Sequence, residues 1–219
     1  MRHLLQPRVL KTASTAAAIS ALASYPRLLL WQHRPAPIWY LEATIFISCI
    51  ILWGFVFAWH EPYTRRPVLI LKLDLTPLIV ATLTGIGTAS AFHFWLDPSL
   101  RSEFPEEYPP DLKHWLAAVP FILAFNQLFL IFAPFDWLMR LGKNRWAATI
   151  LTGLLGAVLL VMKIHTLSAS IAAPLLAVML AGRFVAGFLV IWLYLRGGVI
   201  LVCWWACLIE CRHLLDFIN

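Results

Sequence analysis

Charge is scarce in this chain. Of 219 residues only 13% are Asp, Glu, Lys or Arg, against about 25% in an ordinary soluble domain. With 61% hydrophobic residues and a mean hydropathy of +0.79, that scarcity excludes a water-soluble globule. Cysteine is scarce as well. Cys49, Cys203, Cys207 and Cys211 all lie in apolar segments, which argues against a disulfide framework. The short alternating segments of a membrane β-barrel are missing, and no internal repeat is evident. No basic run is interleaved with exposed aromatics, so the net charge of +6 does not mark a nucleic-acid groove. It fits basic loops on the cytoplasmic side of a membrane.

What the chain does contain is long apolar runs. A spanning helix needs about 20 mostly apolar residues, and clear candidates cover 38–59, 75–96, 114–140, 146–165, 170–195 and 198–218. The expected fold is therefore all-α, a polytopic transmembrane bundle of six to seven spans. Residues 1–37 form an N-terminal segment and residues 38–219 a single membrane domain. The start of the chain has a basic head and a small-residue stretch, which fits a cleaved signal peptide. Its apolar part is weak, however, and Pro26 and Arg27 interrupt it. A retained first helix or a surface-lying helix over 13–31 is the preferred reading. Arg65, Arg66 and Lys72 follow the first clear span, and Lys143 and Arg145 follow the third. The acidic, proline-rich loop 97–113 lies between them. Short basic loops stay cytoplasmic, so simple alternation places both basic loops on that side of a cell (inner) membrane. Arg2, Arg8 and Lys11 join them only if residues 13–31 also cross, which favours seven crossings over six.

Polar residues inside the spans carry the functional argument. An Asp or Arg at the centre of a spanning helix costs about 2.5–3.5 kcal/mol on insertion scales. Asp136 and Arg140, in FAPFDWLMRL, stand at i and i+4 and share a helix face. Taken alone they read as a structural ion pair at the membrane boundary. Asn126 and Gln127 suit interhelical hydrogen bonds. His93 sits among Phe92, Phe94 and Trp95 as an interfacial anchor. Arg183 either snorkels or pairs with an acid such as Glu42. Cys203, Cys207 and Cys211 recur every four positions on one helix face. A thiolate metal site there is weighed against cysteine as a small hydrophobe, and the second reading is preferred. No residue is assigned to a metal or cofactor.

Three features in order carry a resemblance: Asp136 with Arg140, then His165 closing LLGAVLLVMKIH, then Gly187 and the stretch Trp192-Leu193-Tyr194-Leu195-Arg196-Gly197-Gly198. Over residues 115–215 the chain resembles the CPBP family of intramembrane CAAX proteases and bacteriocin-processing enzymes. In that family a Glu-Glu-x-x-x-Arg motif is followed by Phe-x-x-x-His, a glycine- and tyrosine-bearing stretch, and His-x-x-x-Asn. Here Phe135 and Asp136 occupy the glutamate pair and Arg140 the arginine. Val161 and His165 fill the second motif, and Cys207 and Cys211 stand where the third should be. The chain's one Glu-Glu pair, Glu106-Glu107, precedes Tyr-Pro-Pro and belongs to a loop, because consecutive prolines do not sit within a helix at modest cost.

The resemblance implies an intramembrane endopeptidase. Asp136 would be the general base, supported by Arg140, and His165 would position water or donate to the oxyanion. Its partners would be the lipid bilayer and a peptide or membrane-anchored protein substrate, with no nucleic acid. A base must lie within hydrogen-bond reach of its water, and donors must face the developing charge. Asp is shorter than Glu by one C–C bond, about 1.5 Å, and thiols are weak donors. Asp136 and His165 meet only if the intervening helices continue, tilt or break unusually. The rival reading is a non-catalytic membrane scaffold or binding protein that retains the peptidase fold.

Overall fold

The computed structural model describes residues 4–31, 34–166 and 171–217. Among the described residues there is no strand, only an isolated bridge between Leu69 and Gly198. The helices are α1 (Pro7–Leu30), α2 (Ile38–Thr64), α3 (Leu75–Leu100), α4 (Leu112–Gly142), α5 (Arg145–Thr166) and α6 (Ala173–Glu210), followed by a 3-10 turn, Cys211–Phe217. Five of them, α2 to α6, are long and apolar enough to cross a membrane. An all-helical integral membrane protein is what such a set suits.

The segment 13–31 falls within α1, which packs along α2. The face that meets α2 is made of small residues, with Ala13, Ala17, Ser20, Ala21 and Ser24 buried. Small side chains let two helix backbones approach closely where lipid supplies no hydrophobic drive. The contact is also polar: the Trp53 indole N–H donates to the Ser20 hydroxyl at 3.0 Å. Ser24 in turn donates to the Ser20 carbonyl at 2.7 Å.

At one end of the bundle the helices stop by the same device. Arg65 (φ 58°) and Lys143 (φ 50°) adopt the left-handed conformation. Their N–H groups bond the carbonyls of Glu61 and Met139 at 2.8 and 2.9 Å. That is a left-handed C-terminal cap, and a cation there also suits the negative end of the helix dipole. Asn144 then opens α5, its side-chain oxygen accepting from the amides of Trp146 and Ala147 at 3.0 and 3.2 Å, as an N-cap does.

α6 is two helical arms joined at Gly198, whose φ of 64° and ψ of −159° break the helix. The first arm runs antiparallel to α5: Leu180 and Phe184 line a groove with Leu154, Ala157 and Met162. A Cβ on Gly187 would lie 2.9 Å from the Gly153 Cα, so these two backbones cross almost in contact. The second arm runs back beside α3 and α4. The Trp204 indole N–H donates to the Thr82 hydroxyl at 3.0 Å, and the Trp115 indole N–H donates to the Glu210 carbonyl at 2.9 Å. The break is closed from outside by the segment 65–74, because the Val199 N–H donates to the Val68 carbonyl at 3.0 Å.

At the opposite end, charged groups tie the acidic loop to the end of the chain. Asp97 accepts from the Tyr108 hydroxyl at 2.9 Å and from the Arg212 Nε at 3.1 Å. Arg101 bonds Asp216 at 2.6 Å, and Lys163 pairs with Glu107. Burial, and the hydrogen bond to Asp97, push the Tyr108 phenol above its ordinary value. Glu107 sits in a 3-10 turn, Pro105–Glu107, outside any span, as the double proline requires.

Asp111 caps α4 by accepting from the His114 amide at 2.8 Å. That bond and a second one from the His114 ring hold its carboxyl below the usual value. A depressed carboxylate adds stability above its unfolded pKa, about 3.9 for Asp, and loses it as pH falls through the lower folded value. Hydrogen exchange at the His114 amide is expected to be slow near neutrality and fast in Asp111→Ala. In the native chain its protection, taken against the intrinsic rate at the same pH, should be lost only once pH falls below the ordinary Asp value of about 3.9. Equal exchange rates in the two proteins at neutral pH would remove the cap from the account.

Candidate functional site

The residues that meet at Asp136 come from three helices. Asp136 stands six positions before the last residue of α4, just after a stretch wound into π turns, Ile122–Asn126 and Leu128–Phe132. Wide turns of this kind shift the helix register and frequently mark functional positions. Pro120 and Pro134 flank the stretch. Each lacks an N–H and crowds the carbonyl four residues earlier, which favours loosened turns there.

Asp136 is wholly buried and both its oxygens are occupied. His60, near the end of α2, approaches Oδ1 through Nδ1 at 2.8 Å. The Tyr194 hydroxyl, on the first arm of α6, donates to Oδ2 at 2.8 Å. His60 and Tyr194 are also wholly buried, with ring centroids 4.4 Å apart. Phe132 packs on Tyr194 at 4.7 Å and Phe135 meets it edge-on at 6.1 Å. The cluster is a carboxylate held between two donors inside an aromatic shell. Among the described residues the His60 Nε2 has no hydrogen-bond partner. With Nδ1–H given to Asp136, Nε2 presents a lone pair. A carboxylate that orients an imidazole in this way is a recurring arrangement in bases and metal ligands.

Arg140 does not join the cluster. Its guanidinium carbon lies 4.4 Å from the Trp59 ring centroid, a cation–π contact. Its i+4 spacing from Asp136 remains, but the Asp136 oxygens turn toward α2 and α6, and Arg140 lies one turn nearer the end of the bundle. The predicted Asp136–Arg140 ion pair does not form.

His165 is also elsewhere. It is exposed in the last turn of α5. α4 and α5 are antiparallel and joined by the turn at Lys143 and Asn144. Asp136 lies about 9 Å back from that turn and His165 about 30 Å beyond it, at 1.5 Å per residue. The two side chains are therefore separated by on the order of 20 Å. No continuation, late start or break of the kind needed to bring them together is present. Cys207 and Cys211 are remote from Asp136 too. They lie toward the far end of the second arm, whose Glu210 meets Trp115 at the start of α4. Cys203 on the same arm approaches the Leu123 carbonyl with its sulfur at 3.6 Å. Among the described residues no group of His, Cys, Asp or Glu is arranged to hold a metal ion. Arg183 does not reach Glu42: neither has an ion pair within 4.0 Å among the described residues.

Two residues of the cluster, His60 and Tyr194, were not singled out by sequence reasoning as site residues. His60 had a usable signal: it sits in FAWHEP, after an apolar run long enough to span. An ionisable residue at membrane depth is a site candidate by default. Tyr194 had none beyond its place in WLYLRGG.

No family model matches the chain, and no curated protein or solved structure matches it.

Proposed function

We propose that this chain is a non-catalytic integral membrane protein, a scaffold or binding protein of CPBP-like build in which the acid–arginine motif has become a packing lock. The observation that carries this reading is the complete enclosure of Asp136, His60 and Tyr194. A hydrolytic base must reach a water and a substrate carbonyl. Here both carboxylate oxygens are engaged and aromatic side chains fill the approaches. Phe135 occupies the first glutamate position, and His165, Cys207 and Cys211 lie far from the acid. The second reading is the endopeptidase, with His60 rather than His165 as base. One observation favours it: the unpartnered Nε2 of His60.

The two readings separate in one experiment. The protein is reconstituted in vesicles with membrane-anchored peptide substrates, beside His60→Asn and Asp136→Asn. Asparagine at 60 keeps a donor for Asp136 but removes the free ring nitrogen. The lock predicts no turnover by any of the three and a lower unfolding midpoint for Asp136→Asn. Turnover by the native chain that disappears in a folded His60→Asn would establish the peptidase instead.

The same reading includes seven crossings, with α1 and the two arms of α6 each passing once. Arg65, Arg66, Lys72, Lys143 and Arg145 then face the cytoplasm, by the excess of basic residues at that end. The N- and C-terminal ends of the chain then lie on opposite sides. A fluorescent-protein fusion at the C-terminus is expected to stay dark and an alkaline phosphatase fusion to be active. The reverse pattern would overturn this orientation, and an N-terminal fusion found on the same side as the C-terminus would remove the crossing by α1 and reduce the count to six.

A further inference from the structure

We propose that the end of the bundle formed by residues 65–74, the turn at 143–145 and the break at Gly198 binds anionic phospholipid headgroups. Arg65, Arg66, Lys72, Lys143, Arg145 and Arg196 are all exposed there. Among the described residues none of them has an acid within 4.0 Å. The exposed acids beside them are Glu61 and Asp74. At the opposite end Arg101, Lys163 and Arg212 are each paired with a carboxylate, and of its described cations Lys113 and Arg34 are exposed without an acid within 4.0 Å.

The basic side chains are interleaved with large apolar ones. Leu71 is 85% exposed, Leu75 71%, Trp146 66% and Leu141 61%. Such residues are disfavoured on a water-facing surface but suit the boundary where headgroups meet acyl chains, and tryptophan is enriched at that depth. Leucines reach toward hydrocarbon while the guanidinium and ammonium groups remain at phosphate level. The segment 65–74 is held at this level by its bridge to Gly198, so the cations are presented by a fixed strap and not by a loose loop. This inference rests on the membrane placement above and is independent of whether His60 and Asp136 do chemistry.

The test measures lipid selectivity of the full chain by electron spin resonance, with spin-labelled phosphatidylglycerol and phosphatidylcholine in mixed vesicles. The native protein is expected to restrict phosphatidylglycerol several-fold more than phosphatidylcholine, because each basic residue near the surface contributes about fivefold. Arg66→Gln/Lys72→Gln/Arg145→Gln should lower that ratio clearly, Arg65, Lys143 and Arg196 holding the remainder, while Arg66→Lys/Lys72→Arg/Arg145→Lys keeps it at the native level. The triple change avoids Arg65 and Lys143, whose backbones are left-handed. About 1 M sodium chloride, with a Debye length of about 3 Å, should also reduce the ratio. A native protein without selectivity, or a neutralised variant with the native ratio unchanged, would overturn the proposal. So would loss of selectivity on adding inorganic phosphate at constant ionic strength, which would assign the site to a free anion.

Discussion

Asp136→Ala is expected to lower stability by about 3–5 kcal/mol, the cost of removing one partner from a buried charged or hydrogen-bonded pair. The reason is the state of what remains. His60 and Tyr194 are wholly buried; the Tyr194 hydroxyl donates to Asp136 at 2.8 Å, and the His60 Nδ1, in the tautomer that carries its proton there, donates to it at 2.8 Å. Without it, two donors stay in an apolar shell with nothing to bond, and each unsatisfied buried group costs about 1–3 kcal/mol. Tyr194→Phe removes one donor and leaves Asp136 still bonded to His60, so it should cost less, about 1–2 kcal/mol. In a double-mutant cycle the two changes must couple, because Tyr194→Phe loses most of its effect once Asp136 is absent. The unfolding midpoint of the purified protein reads this, with exposed Lys113→Gln as the reference, expected within about 0.5 kcal/mol of native. If Asp136→Ala matched Lys113→Gln, the cluster would hold nothing together, and the lock would fail as an account of why an acid is kept at this depth.

The membrane class was legible because it depends on apolar run length, which needs no knowledge of partners. The runs at 38–59, 75–96, 114–140 and 146–165 lie within α2, α3, α4 and α5. The boundary between 195 and 198 was legible too, since paired glycines interrupt the run where α6 breaks. The site was not legible in the same way. Spacing of i and i+4 put Asp136 and Arg140 on one face, but the choice of partner was made between helices. Asp136 found His60 and Tyr194, which lie 76 and 58 positions away, and Arg140 found Trp59. A motif read along the chain carries no information about which end of the bundle each residue occupies. His165 follows Asp136 at the spacing the resemblance asks for. The two-residue turn before α5 sends it to the other end.

Gly198→Ala is expected to prevent the folded protein from accumulating. Two independent costs fall on one methyl group. The residue has φ +64° with ψ −159°, far from any conformation favourable to an L-residue, and strain of this kind costs about 1–3 kcal/mol. The new Cβ would also stand 2.3 Å from the Val68 carbonyl oxygen. That neighbour is backbone and cannot swing aside as a side-chain end does. It is the acceptor for the Val199 N–H, so relieving the contact pulls the strap away and leaves a donor unpaired where the two arms of α6 meet. The first arm carries Tyr194, four residues before the break, so a shift there also disturbs its bond to Asp136. Gly156→Ala provides the matched comparison. It lies within α5 with nothing inside 4 Å of the added methyl, and alanine in a helix interior is favoured over glycine by about 0.5–1 kcal/mol. The same chemical change should therefore stabilise at 156 and be ruinous at 198. Size-exclusion profiles and unfolding midpoints of the two variants read the difference. A Gly198→Ala protein that elutes and unfolds like Gly156→Ala would mean that the two arms are not held by this crossing, and α6 would have to be redrawn as one continuous helix.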